Sequence, residues 1–357
     1  MRKSIVNIAG TRPQFVKASI MMKFIDEKLT LKNYLLHTGQ HFDFEMSEIF
    51  FNELKFKKKN LIKFKLKKKR RIDVLSNMIT SIYKKLSSIN PALVIIYGDT
   101  DTTLAAVIAA RRLKLKIMHI EAGLRSNQIN MIEEQNRVIA DHLSDYLIAP
   151  TVNAKKNLIK ENINKNNFFF GDVMFDCFKL NLSKISDVDE NLFLNNFKLT
   201  KSFVFLTLHR DINSNKVIIT KFLKKIEKIK KIFYWPIHPK INIILKKYKI
   251  KLPNNIISSK PISYYQTLIS IKNCEFVVTD SGGVQKEAYF LKKKIFILRE
   301  ETEWVELVKI GSAQLIGMNI KKIISSKNFL KREVSNKKIF GNGDSVKKIL
   351  NLINNIV

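Results

Sequence analysis

The sequence predicts an α/β protein built of two Rossmann-like, doubly wound domains. Three observations carry this. Short continuous apolar runs alternate with amphipathic helical stretches, the pattern of parallel strands buried on both faces. The 357 residues are too many for one ordinary core and suit two. Chemistry-bearing polar residues recur where apolar runs stop, and the carboxyl ends of parallel strands are where such sheets bind ligands.

The first domain, expected over residues 1–170, opens with "SIVNIAG" as a strand and "RPQFVKASIMMKFIDEK" as a helix. "NYLLHTG" reads as the next strand and "DFEMSEIFFNEL" as its helix. "IDVLSNMITSIYKKLSSI" has apolar residues at helical spacing. Then follow strand "ALVIIYG", helix "TTLAAVIAARRL", strand "KIMHIEAG", helix "EEQNRVIADHLS" and strand "YLIAPT". A break near "NFFFGDVMFDCF" leads into the second domain, expected over 171–343. There the strands are "SFVFLTLH", "IFYWPIH", "EFVVTD" and "KIFIL". The helices are "NKVIITKFLKKIEKI", "SYYQTLISIKN" and "GGVQKEAYFLKK". The final helix, over 344–357, is expected to pack back on the first domain.

Composition narrows the function classes. The formal charge of +33 would ordinarily suggest nucleic acid. Here the lysines are scattered over outer helix faces, in a chain rich in Lys, Asn, Ile and Phe, as AT-rich codon drift produces. The densest cluster, Lys55 to Arg71, is expected to be a solvated surface segment, and no nucleic-acid partner is expected. No apolar run is long enough to span a bilayer, and "MRKSIVNIAGTRPQ" reads as a strand and turn rather than a leader. A soluble cytoplasmic protein with no membrane partner is expected. Cys177 and Cys274 lie far apart and make neither a disulfide framework nor a metal spacing. "HIE", His119 to Glu121, matches half of the zinc-deaminase signature, but the P-C-x-x-C half is absent. No metal site is expected.

The strand ends supply the candidate site. "TDSGGVQKEAYF", Thr279 to Phe290, places Ser281, Gly282 and Gly283 where a strand stops and a helix starts. Unpaired N–H groups, the helix dipole and glycines that admit close approach make this a phosphate seat. An ordinary helix cap is the competing account. Glu287, on the same helix, suits ribose hydroxyls. Neither a P-loop nor G-x-G-x-x-G is present, so a nucleoside diphosphate group without a nicotinamide cofactor is expected. Arg12 in "AGTRPQ" suits a charged phosphate contact. Asp99, Glu121 and Glu133 form a carboxylate set fit for acid/base work. Singly each has a plainer account: Asp99 a helix cap, Glu133 an i,i+4 ion pair with Arg137. Glu121 ends an apolar strand and would be costly to bury without a partner. His209 and His238 end the first two strands of the second domain. All of these are expected to line one interdomain cleft.

The ordered motifs "GTRPQFVKA", "TGQHFD", "GDTDTTLAA", "HIEAGLRS", "EEQNR", "LTLHR", "TDSGGVQKEA" and "REETEWVEL" give the chain a specific resemblance. It resembles the non-hydrolysing UDP-N-acetylglucosamine 2-epimerase family, from about residue 5 to about residue 317. The resemblance implies a glycosyltransferase-B-like fold with a UDP-sugar in the cleft. It implies inversion at C2 by elimination of UDP to a 2-acetamidoglucal, followed by re-addition. Arg12, Arg137, His209, Ser281, Gly282, Gly283 and Glu287 would hold UDP. Asp99, Glu121, Glu133 and His209 would be catalytic. Gln40, His41 and His238 would be substrate or allosteric contacts. No cofactor and a homodimer are implied.

Within the family the stretch "AGLRSNQINMI" looks short, with Ile132 in place of a usual proline. With "RPQF", "GDVMFD" and "ETEWVE" it is similar to a sister branch acting on UDP-2,3-diacetamido-2,3-dideoxyglucuronate. Phe42 and Asp43 depart from the allosteric pattern beside Gln40 and His41. The rival functions are a glycosyltransferase on the same fold, a hydrolysing epimerase and a polyanion-binding protein. The first needs an acceptor, the second typically lacks "RPQ", and the third leaves the strand-end motifs unexplained.

Overall fold

The computed structural model describes residues 3–39, 56, 60–64, 70–200, 202–210 and 213–357. The expected helix "DFEMSEIFFNEL", with Gln40 and His41 before it, lies outside the described residues. The chain forms two compact units, one of residues 1–179 and 338–357, the other of residues 180–337.

Among the described residues of the first unit, seven parallel strands are ordered β3-β2-β1-β4-β5-β6-β7. They are β1 (Ser4–Ala9), β2 (Lys32–His37), β3 (Leu61–Lys63), β4 (Leu93–Tyr97), β5 (Ile117–Ile120), β6 (Tyr146–Ala149) and β7 (Asn167–Phe169). All residues of β1 and β4 are buried, as expected of central strands covered on both faces. The helices are α1 (Arg12–Lys28), α2 (Arg71–Ile89), α3 (Asp101–Arg112), α4 (Ile132–Leu143), α5 (Val152–Lys160) and α6 (Val173–Leu182), the last running three residues into the second unit. Two features differ from the sequence reading. Part of the lysine cluster is structural: Leu61–Lys63 pairs in parallel with Leu35–His37. At its end Arg71 grips Asp101 with two hydrogen bonds, 2.7 and 3.0 Å. The stretch near the expected break is the edge strand β7 and then α6, and the units divide after Lys179 rather than at 170/171.

The second unit repeats the plan with six parallel strands, β10-β9-β8-β11-β12-β13. They are β8 (Val204–Thr207), β9 (Phe233–Pro236), β10 (Ile256–Ser259), β11 (Val277–Thr279), β12 (Ile295–Ile297) and β13 (Ala313–Leu315). Its helices are α7 (Asp187–Asn196), α8 (Lys216–Ile226), α9 (Pro239–Lys247), α10 (Tyr264–Asn273), α11 (Gly282–Phe290), α12 (Val305–Lys309), α13 (Lys322–Ser325) and α14 (Lys327–Lys331). One cluster, with Phe222, Phe233, Trp235, Phe276 and Phe296 buried, forms the core between sheet and helices. Each such side chain contributes about 1.5–3 kcal/mol by leaving water.

Helix α15 (Ser345–Ile356) belongs to the first unit. Its buried Val346, Ile349, Leu350 and Ile353 recur at helical spacing and make one apolar stripe. Asp176 accepts the Val346 N–H at 3.0 Å, and Lys116 donates to the Ile356 carbonyl at 2.8 Å. Among the described residues no helix is long and apolar enough to cross a membrane.

In both sheets the strand order reverses beside the first strand, between β1 and β4 and between β8 and β11. A crevice opens at such a point, at the carboxyl ends of the strands. Arg12, Asp99, His209 and Ser281 follow β1, β4, β8 and β11, Glu121 follows β5 and His238 follows β9, while Glu133 and Arg137 lie on α4 and Glu287 on α11.

Candidate active site

In the first unit, the loop after β1 carries Arg12 as the first residue of α1. Gln14 fixes that turn. Its oxygen accepts the Gly10 and Thr11 N–H groups at 2.8 and 3.2 Å. Its amide donates to the Tyr97 carbonyl at 2.7 Å, tying the turn to the end of β4.

After β4, Gly98 turns the chain with φ +61°, a left-handed conformation that glycine adopts without strain. A Cβ there would lie 3.3 Å from Glu121 Oε1, so the Asp99 loop and the Glu121 loop touch. Asp99 is ion-paired to the guanidinium of Arg137. Thr100, not Asp99, occupies the cap position of α3. Glu121 has φ +76°, an unusual conformation for a side chain with a Cβ. It pairs with Lys17 at 2.6 Å. Lys17 is only 2% exposed, and sequence reasoning missed it. The available signal was its place in the apolar stripe of α1, three, four and eight residues before Ile20, Met21 and Ile25.

The plainer account of Glu133, an i,i+4 ion pair with Arg137, does not hold among the described residues. Arg137 pairs at i,i+3 with Glu134, 2.9 Å. Glu134 is buried and also accepts the Ser126 and Asn127 N–H groups, at 2.9 and 3.0 Å, so it clamps the loop before α4. Glu133 is partly exposed, and among the described residues it forms no hydrogen bond or ion pair.

A second buried network lies behind the Glu121 loop. Asp141 accepts from His119 Nδ1 at 2.7 Å, Arg125 Nη1 at 2.7 Å and the Gly123 N–H at 3.0 Å. Burial alone would raise its carboxyl pKa, but His119 and Arg125 outweigh burial and hold it below the ordinary range.

In the second unit, α11 starts at Gly282 with Ser281 as its cap, the Ser281 hydroxyl accepting the Val284 N–H at 3.4 Å. The phosphate-seat reading and the cap reading are therefore compatible. Gly282 is required for space: an added Cβ would fall 2.2 Å from Glu303 Oε1. Glu303 in turn is locked to buried Arg299 at 2.7 Å. Thr302 donates to Gln285 at 2.8 Å, so the "ETEW" stretch braces the start of α11. Gly283 follows in the first turn, and Glu287 is buried further along the helix.

His209 follows β8 with its side chain 40% exposed and its Nδ1 3.0 Å from Asp280 Oδ1. Asp280 is fully buried and accepts the His209 and Arg210 N–H groups at 3.0 and 2.9 Å and the Asn213 amide at 3.1 Å. Burial works against its charge, yet His209 and these donors hold the carboxyl far below the usual range. The His209 ring is 5.8 Å from that of His238. His238 also caps α9, its Nδ1 accepting the Lys240 N–H at 3.3 Å.

Two doubly wound parallel sheets, each with polar loops at its reversal point, define an enzyme of the glycosyltransferase-B-like class. The chain belongs to the UDP-N-acetylglucosamine 2-epimerase family, whose model matches residues 23–354. It is 39% identical to a UDP-N-acetylglucosamine 2-epimerase homolog of Methanococcus maripaludis, covering 99% of both chains. It is 35% identical to the UDP-2,3-diacetamido-2,3-dideoxy-D-glucuronate 2-epimerase of Pseudomonas aeruginosa, covering 90% of each. The crystal structure of Methanocaldococcus jannaschii UDP-GlcNAc 2-epimerase, in complex with UDP-GlcNAc and UDP, superposes with a TM-score of 0.91. Its sequence is 34% identical, and 99% of each chain is covered.

Proposed function

We propose that the chain is a non-hydrolysing epimerase that inverts C2 of a UDP-2-acetamido sugar, of the UDP-N-acetylglucosamine type. The observation that carries this reading is the pairing of two carboxylates, Asp99 and Glu121, with two buried cations, Arg137 and Lys17, at neighbouring strand ends. Such an arrangement fixes proton acceptors in place beside groups that offset developing negative charge.

The C2 hydrogen is weakly acidic, so its removal must accompany departure of a good leaving group. One carboxylate takes the proton, the C2–H electrons form the C1=C2 bond, and the C1–O bond breaks to release UDP. The 2-acetamidoglucal is then protonated at C2 on its other face as a phosphate oxygen re-bonds to C1. Ser281, Gly282 and Gly283 at the start of α11 hold the diphosphate with Arg12 and His209. Arg137 adds fixed positive charge nearby. Glu287 takes the ribose. Asp99, Glu121 and Glu133 divide the acid and base roles on the two faces, with His209 assisting the leaving group. His238 touches the nucleotide. Gln40 and His41 remain substrate or allosteric contacts in this proposal.

The test is proton NMR in D2O with UDP-N-acetylglucosamine. Deuterium at C2 with the manno epimer supports the reading; UDP binding without exchange sinks it. A second reading, the same chemistry on the diacetamido-uronate nucleotide, rests on the Pseudomonas relative and is tested by a parallel sample, the faster naming the substrate. We also propose a cytoplasmic homodimer; light scattering that returns a monomer mass refutes the dimer.

A further inference from the structure

His119 is absorbed by none of these roles, yet it is fully buried in β5 beside both carboxylate loops. Its ring nitrogens face two groups that offer only acceptors. Nδ1 lies 2.7 Å from Asp141 Oδ1, and Nε2 lies 2.8 Å from the Gly98 carbonyl oxygen. A neutral imidazole carries one N–H and would leave a nitrogen lone pair against an oxygen lone pair. Protonating Asp141 instead would relieve that contact. But Asp141 already accepts from Arg125 and the Gly123 N–H, and both favour its ionised form.

We propose that His119 is a positioning residue for the epimerisation. Held as an imidazolium between Asp141 and the Gly98 carbonyl, it sets the peptide that carries Asp99 against the loop that carries Glu121. The functional half of this rests on the epimerase reading; the protonation state does not. The geometry is specific. The Gly98–Asp99 peptide is gripped through its carbonyl by His119, and the Gly98 N–H donates to Ile120 at 3.0 Å. The same Asp141 holds Gly123, two residues beyond Glu121. One cation–carboxylate pair thus fixes both loops. The charged groups around this pair are Arg125, on Asp141; Glu161, which Arg125 grips at 2.6 Å through each of two nitrogens and which His142 meets at 3.2 Å; and Glu121 with Lys17, beside Gly98.

Two variants separate the arms. His119→Gln can place an amide N–H where Nε2–H points and so keep the Gly98 contact. His119→Asn can replace only the Nδ1–H toward Asp141. Misplacing a catalytic group by about 1 Å costs about a hundredfold. We therefore expect His119→Asn to lose about a hundredfold in kcat with little change in KM or UDP affinity, and His119→Gln to stay within about tenfold of the parent. Nitrogen-15 NMR of the histidine-labelled parent should show one ring, absent from both variants, with hydrogen bonded to both nitrogens. The Asp99 amide resonance should move in His119→Asn and much less in His119→Gln. A single ring proton on His119 overturns the proposal, and so does equal kcat in the two variants. If His119→Asn does not fold, the parent spectrum and the Gln variant still decide. If the parent shows no C2 exchange, the function has failed and the spectrum alone judges the imidazolium.

Discussion

Replacing Asp280 by asparagine offers a direct measure of how the second unit holds His209. The buried carboxylate takes the His209, Arg210 and Asn213 donors on Oδ2 and faces His209 Nδ1 with Oδ1. An asparagine that keeps its oxygen toward those donors must point its NH2 at Nδ1. A charge-assisted hydrogen bond contributes roughly 1 kcal/mol more than a neutral one, so weakening three costs about 3 kcal/mol. For a unit of this size that is about 6–12 °C in Tm. The amide also forces the ring into its other tautomer, with the proton on Nε2, and turnover should fall by about a hundredfold. The pH dependence has a definite sign. The folded carboxyl of Asp280 lies below its unfolded value, so its stabilisation is complete above about pH 4 and is lost as acid approaches the folded value. The gap between parent and Asp280→Asn should close only in strong acid. Calorimetric melts across pH, with turnover at neutral pH, make the measurement. Equal melting at pH 7, or a gap that persists undiminished in strong acid, refutes the reasoning.

Three other outcomes follow from the geometry. Lys17→Met leaves Glu121 without its buried cation and should destabilise the first unit by about 3–5 kcal/mol, seen in urea unfolding; a loss below 1 kcal/mol means the pair is dispensable. Gly282→Ala drives a methyl into Glu303, and UDP affinity by calorimetry should drop at least about tenfold, since the brace and the helix start move together. Glu133→Gln touches a partly exposed side chain with no ion pair among the described residues, so stability should stay within about 0.5 kcal/mol. Its turnover should fall at least about a hundredfold if Glu133 works on one face of the sugar, and parent-like turnover would remove it from the acid/base set.

Much of the fold was legible because central parallel strands leave a plain mark. Leu93–Tyr97 and Val277–Thr279 are apolar throughout or nearly so, and each is followed by a polar loop. Edge strands hid. Leu61–Lys63 sits among lysines, because an edge strand has only one neighbour and tolerates charge. Asn167–Phe169 read as a break for a related reason, being three residues long at the other edge. In the candidate site, Asp99, Glu121, Ser281 and Gly282 were legible as interruptions at strand ends. Their partners were not. Lys17 pairs with a residue far along the chain, and helical spacing alone could not say whether Glu133 or Glu134 turns toward Arg137. His119 was weighed only as a metal ligand, and its partners come from β4's loop and from α4.

The division of the chain has a consequence for how the protein is made. Helix α15 belongs to the first unit yet is translated after every residue of the second. The second unit is an uninterrupted stretch and is free to fold as it emerges from the ribosome. The first must wait, with the surface of α1 that receives α15 uncovered, until the chain returns. A released chain truncated after Lys337 should therefore present a finished second unit and an unfinished first. That order makes the first unit the one exposed to chaperones and proteases during synthesis.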